Sequence, residues 1–174
     1  MTGPAVIVGG GLAALEIALA LRGRAATPVT VIANETMVTY RPWLIRLPAG
    51  GPPPPLIPFA RLLARAGVEV VPERAAMLDL EARRVILGSG RQIEYGQLVV
   101  ATGAVADHGR IPGAQEHALF PCDLKDATEL VARISTGRPH LAVIFGWERP
   151  GPGLEYAAWI AAHRSEVRLS LIHI

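Results

Sequence analysis

One stretch near the start limits what this chain can fold into more than any other. Ala5-Val6-Ile7-Val8 is an apolar run that ends on Gly9-Gly10-Gly11, and Leu12, Leu15, Ile17, Ala18 and Leu21 follow at helical spacing. Pro28-Val29-Thr30-Val31-Ile32 is a second run of buried-strand type. Residues 5–33 therefore read as strand, tight turn, helix and strand, a βαβ unit with parallel strands and a right-handed crossover. Composition agrees: 51% of the 174 residues are apolar and only 5% aromatic, so the core is built from Ala, Val, Leu and Ile, as in α/β proteins. Gly (18) and Pro (15) are frequent but follow no repeat, which with this apolar content excludes disorder and a collagen-like chain.

The remaining pattern extends that unit. Tyr40 to Pro55 reads as a loop, because Pro42, Pro48, Gly50, Gly51 and the four prolines Pro52 to Pro55 interrupt regular structure. Pro58 opens a helix carrying Phe59, Leu62, Leu63 and Ala66 to Gly67, and Val68 to Val71 is the next strand. Met77 to Leu80, Val85 to Leu87 and Gln92 to Tyr95, with the turn Gly88-Ser89-Gly90, read as a small antiparallel meander. Leu98 to Ala101 is a buried strand that stops at Thr102-Gly103. A Gly- and Pro-rich connection leads to Asp123, the expected N-cap of a helix carrying Ala127, Leu130, Val131 and Ile134.

After Gly137-Arg138-Pro139, the strand Leu141 to Phe145, the turn 146–153, the helix from Leu154 and the strand near Val167 repeat the opening pattern. The expected fold class is α/β: a Rossmann-like domain over residues 1–112 with a β-meander insertion, then the start of a second Rossmann-like domain over 113–174. Two strands and one helix cannot cover their own sheet, so the chain reads as the N-terminal piece of something longer. Its last six residues, Leu169-Ser170-Leu171-Ile172-His173-Ile174, have the apolar pattern of a strand. They also match the translation of a transposon end used in sequencing-library preparation, and that match favours an artefact over native sequence.

Charge and special residues narrow the function. The net charge is +2, and the basic residues, all arginine except Lys125, are scattered, so no nucleic-acid footprint is expected. A single cysteine, Cys122, excludes an internal disulfide and any Cys-x-x-Cys metal site within these residues. His108, His117, His140 and His163 share no ligand spacing and read as surface or capping residues; no metal is expected. Glu16, Arg22 and similar residues break every candidate membrane span, and a strand starting at Ala5 leaves no room for a secretory signal, so the expected location is cytoplasmic.

Gly9-x-Gly11-x-x-Ala14 lies between a strand and a helix, where each small residue has a job: Gly9 makes the turn, Gly11 lets backbone approach a pyrophosphate, and Ala14 keeps the helix close to the sheet. Gly10 lies within the same turn. The acid expected after the second strand is displaced, so either Asn34 or Glu35 meets the ribose of a dinucleotide.

The order of fingerprint, meander and Leu98-Val99-Val100-Ala101-Thr102-Gly103 resembles the flavoproteins with two dinucleotide-binding domains. Tyr95 to Gly103 is similar to their Tyr-Asp-x-Leu-Val-x-Ala-Thr-Gly segment, with Gly96-Gln97 in place of the usual Asp. The resemblance covers essentially the whole chain and implies FAD as cofactor. It implies that Ala101, Thr102 and Gly103 pass beside the flavin and that backbone at Ala75 meets the adenine edge.

Three features resemble the branch of sulfide:quinone oxidoreductases and type II NADH dehydrogenases. Tyr40-Arg41-Pro42-Trp43 is similar to a loop whose proline lies near the flavin ring, the alternative being a surface turn. Gly151-Pro152-Gly153-Leu154-Glu155-Tyr156-Ala157 is similar to a segment of the sulfide:quinone enzymes, the alternative being an ordinary helix start. Cys122, in Phe120-Pro121-Cys122-Asp123, is placed as one redox cysteine of those enzymes is placed. A lone cysteine is otherwise a small buried hydrophobe. Here it precedes a helix whose free amides favour an anion, although the carboxylate of Asp123 works against this.

The resemblance thus implies an FAD-dependent oxidoreductase that passes electrons from sulfide or a related sulfur species to a quinone, with peripheral membrane association in the whole protein and these residues inactive alone. The disulfide-reductase pattern, two cysteines on the first helix, is absent. Trp147, Glu148 and Pro150 in the second Rossmann turn oppose a nicotinamide pyrophosphate, which weakens the NADH dehydrogenase alternative. A flavin-binding protein without catalysis is the remaining alternative.

Overall fold

The computed structural model describes residues 3–24, 27–35, 37–105, 109, 111–136, 141–146, 152–165 and 167–173. Within these the chain divides into two units, 1–38 with 56–105 and 39–55 with 106–174.

The first unit is organised by β1 (Ala5–Val8), whose four residues are all buried because the strand is covered on both faces. Helix α1 (Leu12–Arg24) returns the chain to β2 (Val29–Ile32), which pairs parallel with β1 from Ala5 opposite Val29 to Val8 opposite Ile32. After the short β3 (Val38–Thr39), and rejoining at β4 (Leu56–Ile57), come α2 (Phe59–Arg65) and β5 (Glu69–Val71), parallel to β2. The meander is β6 (Ala75–Asp79), β7 (Arg84–Leu87) and β8 (Gln92–Glu94), all antiparallel. Strand β9 (Gln97–Val100) then inserts on the other side of β1, giving the order β5-β2-β1-β9.

Side-chain alternation assigns the two faces. Ala5, Ile7, Val29, Val31 and Ala33 pack against Ala14, Leu15 and Ala18 of α1 and Phe59 and Leu63 of α2. Val6, Val8, Ile32 and Val71 pack instead against Val85 and Leu87 of the meander. The expected α/β architecture with a meander insertion is therefore present as three layers.

The second unit departs from the sequence reading at its first segment. Residues 41–49, expected as loop, form a 3-10 helix, Arg41–Ala49, closed by Gly50 in the left-handed conformation. Pro42 is accommodated because the first turn needs no amide donor, and Leu44 and Pro48 are fully buried. The segment packs against α4 (Leu124–Ser135) and α5 (Pro152–His163), which supply the burial that so long a 3-10 helix needs. A four-residue helix, α3 (Ala114–His117), lies in the stretch read as plain connection. Ile134 of α4, Ile160 of α5 and Val167 share a core.

Strands β10 (Leu141–Gly146) and β11 (Arg168–His173) pair in parallel, as the second βαβ pattern requires. The residues Gly137 to His140, Trp147 to Gly151 and His108 lie outside the described residues. No helix among the described residues is long and apolar enough to cross a membrane, and no group of three or more His, Cys, Asp or Glu among them could hold a metal ion.

Candidate functional site

In the first unit the fingerprint sits where the strand order reverses, at the carboxyl end of β1 between β2 and β9. Open parallel sheets bind ligands at this place, because the chain leaves in opposite directions and a crevice opens. Gly9 donates its N–H to the Ile32 carbonyl (2.9 Å), and Ala101 donates to the Val8 carbonyl (2.8 Å), so the ends of all three strands are tied together.

Each small residue of the fingerprint has an observable reason. Gly9 has a φ of +136°, and a Cβ there would overlap the Ala101 carbonyl oxygen. A Cβ on Gly10 would come within 3.0 Å of the Ala33 Cβ and 3.7 Å of the Glu35 carbonyl oxygen. Gly11 is different: nothing lies within 4 Å of a Cβ built there. That open space fits a close-lying pyrophosphate, and Gly11, as the residue before α1, has no side chain to occupy the helix amides. The first turn of α1 carries no acidic residue to repel an anion. Ala14 is completely buried against the sheet.

Around this turn the structure places the other expected residues of the unit. Asn34 and Glu35 are exposed just beyond β2, with Glu35 backbone beside Gly10. Ala101 is half-buried at the end of β9, while Thr102 and Gly103 are exposed, Gly103 with φ +75°. Ala75 opens β6, half-buried against the same core as Val71. The residues present fit the phosphate end of a dinucleotide such as FAD.

Pro42 and Cys122 belong to the second unit, where α5 backs both segments. Pro42 is exposed in the first turn of the 3-10 helix. The same helix is clasped to α5 by Arg46, whose guanidinium carbon lies 4.5 Å from the Trp43 ring centre and 5.7 Å from that of Trp159. Arg164 adds a bond from Nε to the Pro48 carbonyl, and Trp43 Nε1 donates to the Pro52 carbonyl at 3.1 Å.

Cys122 is exposed, in a tight turn where its N–H donates to the Phe120 carbonyl. Asp123 is the expected N-cap, its carboxylate accepting from the Asp126 N–H at 2.9 Å. Asp126 Oδ2 in turn accepts from the Phe120 N–H at 2.8 Å. The hydroxyl of Tyr156, a residue only 5% exposed, donates to the Pro121 carbonyl. Burial first, and electrostatic interaction with Cys122 second, hold the Tyr156 phenol far above its usual range. In the sequence, the one local mark of Tyr156 is that it is a tyrosine among the alanines of α5. Nothing local in the sequence pointed to the Arg46 clasp.

Comparison with known proteins agrees with this geometry. The chain is 28% identical over 160 residues to the sulfide-quinone reductase of Aquifex aeolicus (strain VF5), covering 87% of this chain and 37% of that protein. The solved structure of the sulfide:quinone oxidoreductase from Aquifex aeolicus superposes with a TM-score of 0.83 at 26% identity, over 97% of this chain and 42% of that one. A ferredoxin reductase from Rhodopseudomonas palustris gives a TM-score of 0.75 at 25% identity, over 97% of this chain and 42% of that one. The chain thus spans less than half the length of these relatives. A family profile described as pyridine nucleotide-disulphide oxidoreductase matches residues 4–171, and with the three-layer fold and the glycine turn at its switch point, the chain belongs to that family.

Proposed function

We propose that this chain is part of an FAD-dependent oxidoreductase that takes electrons from sulfide or a related sulfur species and passes them to a quinone. The observation that carries the reading is the likeness to sulfide:quinone oxidoreductase over 97% of the chain at a TM-score of 0.83. Gly9, Gly10 and Gly11 bring backbone to the pyrophosphate, Ala14 holds α1 against the sheet, and Asn34 or Glu35 meets the ribose. Ala75 offers backbone to the adenine edge, and Pro42, Ala101, Thr102 and Gly103 flank the flavin. When bound, FAD supplies a two-electron acceptor that a quinone can reoxidise. Cys122, exposed to a small sulfur donor, would join its thiolate sulfur to that of hydrosulfide as a persulfide, with the two electrons and the proton released in that step passing to FAD. The whole protein associates peripherally with the membrane that holds its quinone.

The test is anaerobic mixing of the complete, FAD-loaded protein with sulfide, and separately with NADH, while the oxidised-flavin absorbance is followed. Bleaching by sulfide and not by NADH is expected. Cys122→Ser should keep its FAD and lose the sulfide reaction. A serine variant that bleaches as fast as the wild type makes the cysteine structural and removes the sulfide assignment. Reduction by NADH instead favours a type II NADH dehydrogenase, and reduction by neither a flavin-binding protein without catalysis.

A further inference from the structure

The turn that presents Cys122 is fixed on every side except at its thiol. Phe120 is held through its N–H by Asp126, Pro121 through its carbonyl by Tyr156, and the Cys122 N–H closes the turn onto the Phe120 carbonyl. Asp123 then caps α4 through the Asp126 amide. The Cys122 side chain itself is exposed.

Tyr156 stands out among these contacts. It arrives from α5, 35 positions along the chain, and its ring is buried in the second unit. A phenylalanine would fill the same space without importing a hydroxyl that must find an acceptor. The acceptor found is the peptide carbonyl immediately before Cys122. A buried donor with one partner fixes that partner's orientation, because breaking the bond leaves both groups unsatisfied.

We infer that Tyr156 is a positioning residue, whose hydroxyl fixes the Pro121 peptide and thereby sets where the Cys122 thiol sits for its reaction. The inference rests on the reading that Cys122 reacts with the sulfur donor. Because burial keeps the phenol protonated, Tyr156 acts as a donor throughout the range in which a thiol ionises.

The experiment compares Tyr156→Phe with wild type in the complete, FAD-loaded protein. Flavin reduction at saturating sulfide should slow by about ten- to a hundredfold, the scale of a nucleophile misplaced by an ångström. The sulfide concentration at half-maximal rate and the FAD content should stay at the wild-type level. Alkylation of Cys122 by iodoacetamide needs no alignment with a flavin and should also proceed at the wild-type rate. A wild-type reduction rate overturns the inference, and so does a loss of rate that merely tracks loss of FAD.

Asp126→Ala, which releases the Phe120 amide on the other side of the turn, gives an independent reading if the phenylalanine variant does not fold. The same loss of maximal rate supports the inference, and an unchanged rate overturns it. Cys122→Ser separates the two levels. If that variant reduces its flavin at the wild-type rate, the underlying reading falls. If it is inactive while Tyr156→Phe keeps its maximal rate, the reading stands and the inference alone falls.

Discussion

Two glycines two positions apart serve different ends, and substitution separates them. Gly9→Ala forces a Cβ into the Ala101 carbonyl at a φ of +136°, so β1 and β9 cannot keep their spacing. A loss of at least 3 kcal/mol of stability, roughly the upper range for single substitutions, or failure to fold is expected in denaturant melts. Gly11→Ala meets nothing within 4 Å, so its stability should stay within about 0.5 kcal/mol of wild type. Its added methyl instead occupies the space proposed for the pyrophosphate. In the complete protein, FAD content after desalting should therefore drop in Gly11→Ala while its melting curve is kept. A Gly11→Ala protein that holds FAD stoichiometrically would place the pyrophosphate elsewhere. The turn that holds both glycines was legible in the sequence because a strand, a turn and a helix within 33 residues define its geometry. Tyr156 was not, because its partner lies 35 residues away and only the packing of α5 brings them together.

Elements that carry their own signals matched the reading, and those that borrow stability from neighbours did not. Asp123 announced the start of α4 in the sequence and caps it in the structure. Asp123→Ala should cost about 1 kcal/mol, the usual price of a lost side-chain cap, measured as a lowered unfolding midpoint. The meander was equally legible, since its strands alternate and Gly88-Ser89-Gly90 marks a turn. Its other turn is closed by Asp79, which accepts from the Ala82 N–H and from Arg84 Nε, both at 2.9 Å. The Ala82 amide first, and then Arg84, hold the Asp79 carboxyl below the usual carboxylate range. A folded-state value depressed in this way gives stability that is present above the unfolded pKa and lost as pH falls through the folded one. Asp79→Asn should therefore flatten the acid side of the stability profile and lower the level reached above it, without changing the slope on the alkaline side. An acid limb as steep as that of the wild type would show that other carboxylates govern it. The 3-10 helix over residues 41–49 escaped notice because its prolines forbid an α-helix, and the burial of Leu44 and Pro48 comes from packing on α4 and α5.

At the scale of the whole molecule, the residues proposed to hold FAD are divided unequally. The first unit has both faces of its sheet covered, by α1 and α2 on one side and the meander on the other, and it contains every residue proposed for the phosphate end. Pro42 and Cys122 fall in the second unit, together with the 39–55 excursion. A single boundary near residue 112 was the natural reading of the sequence, since nothing in residues 39–55 states where they pack. The 174 residues also span 37% of the sulfide-quinone reductase they resemble. A polypeptide of these 174 residues alone is therefore expected to recognise the adenosine diphosphate half of FAD and to hold the flavin half poorly. A ligand that binds only the folded form stabilises it by about 2.7 kcal/mol at one hundred times its dissociation constant. ADP should thus raise the melting temperature of the polypeptide nearly as far as FAD does, flavin mononucleotide should not, and the desalted protein should be close to colourless. A stoichiometrically yellow protein, or stabilisation by flavin mononucleotide with none by ADP, would mean that the flavin end is already complete within these residues and that the division drawn between the two units is wrong.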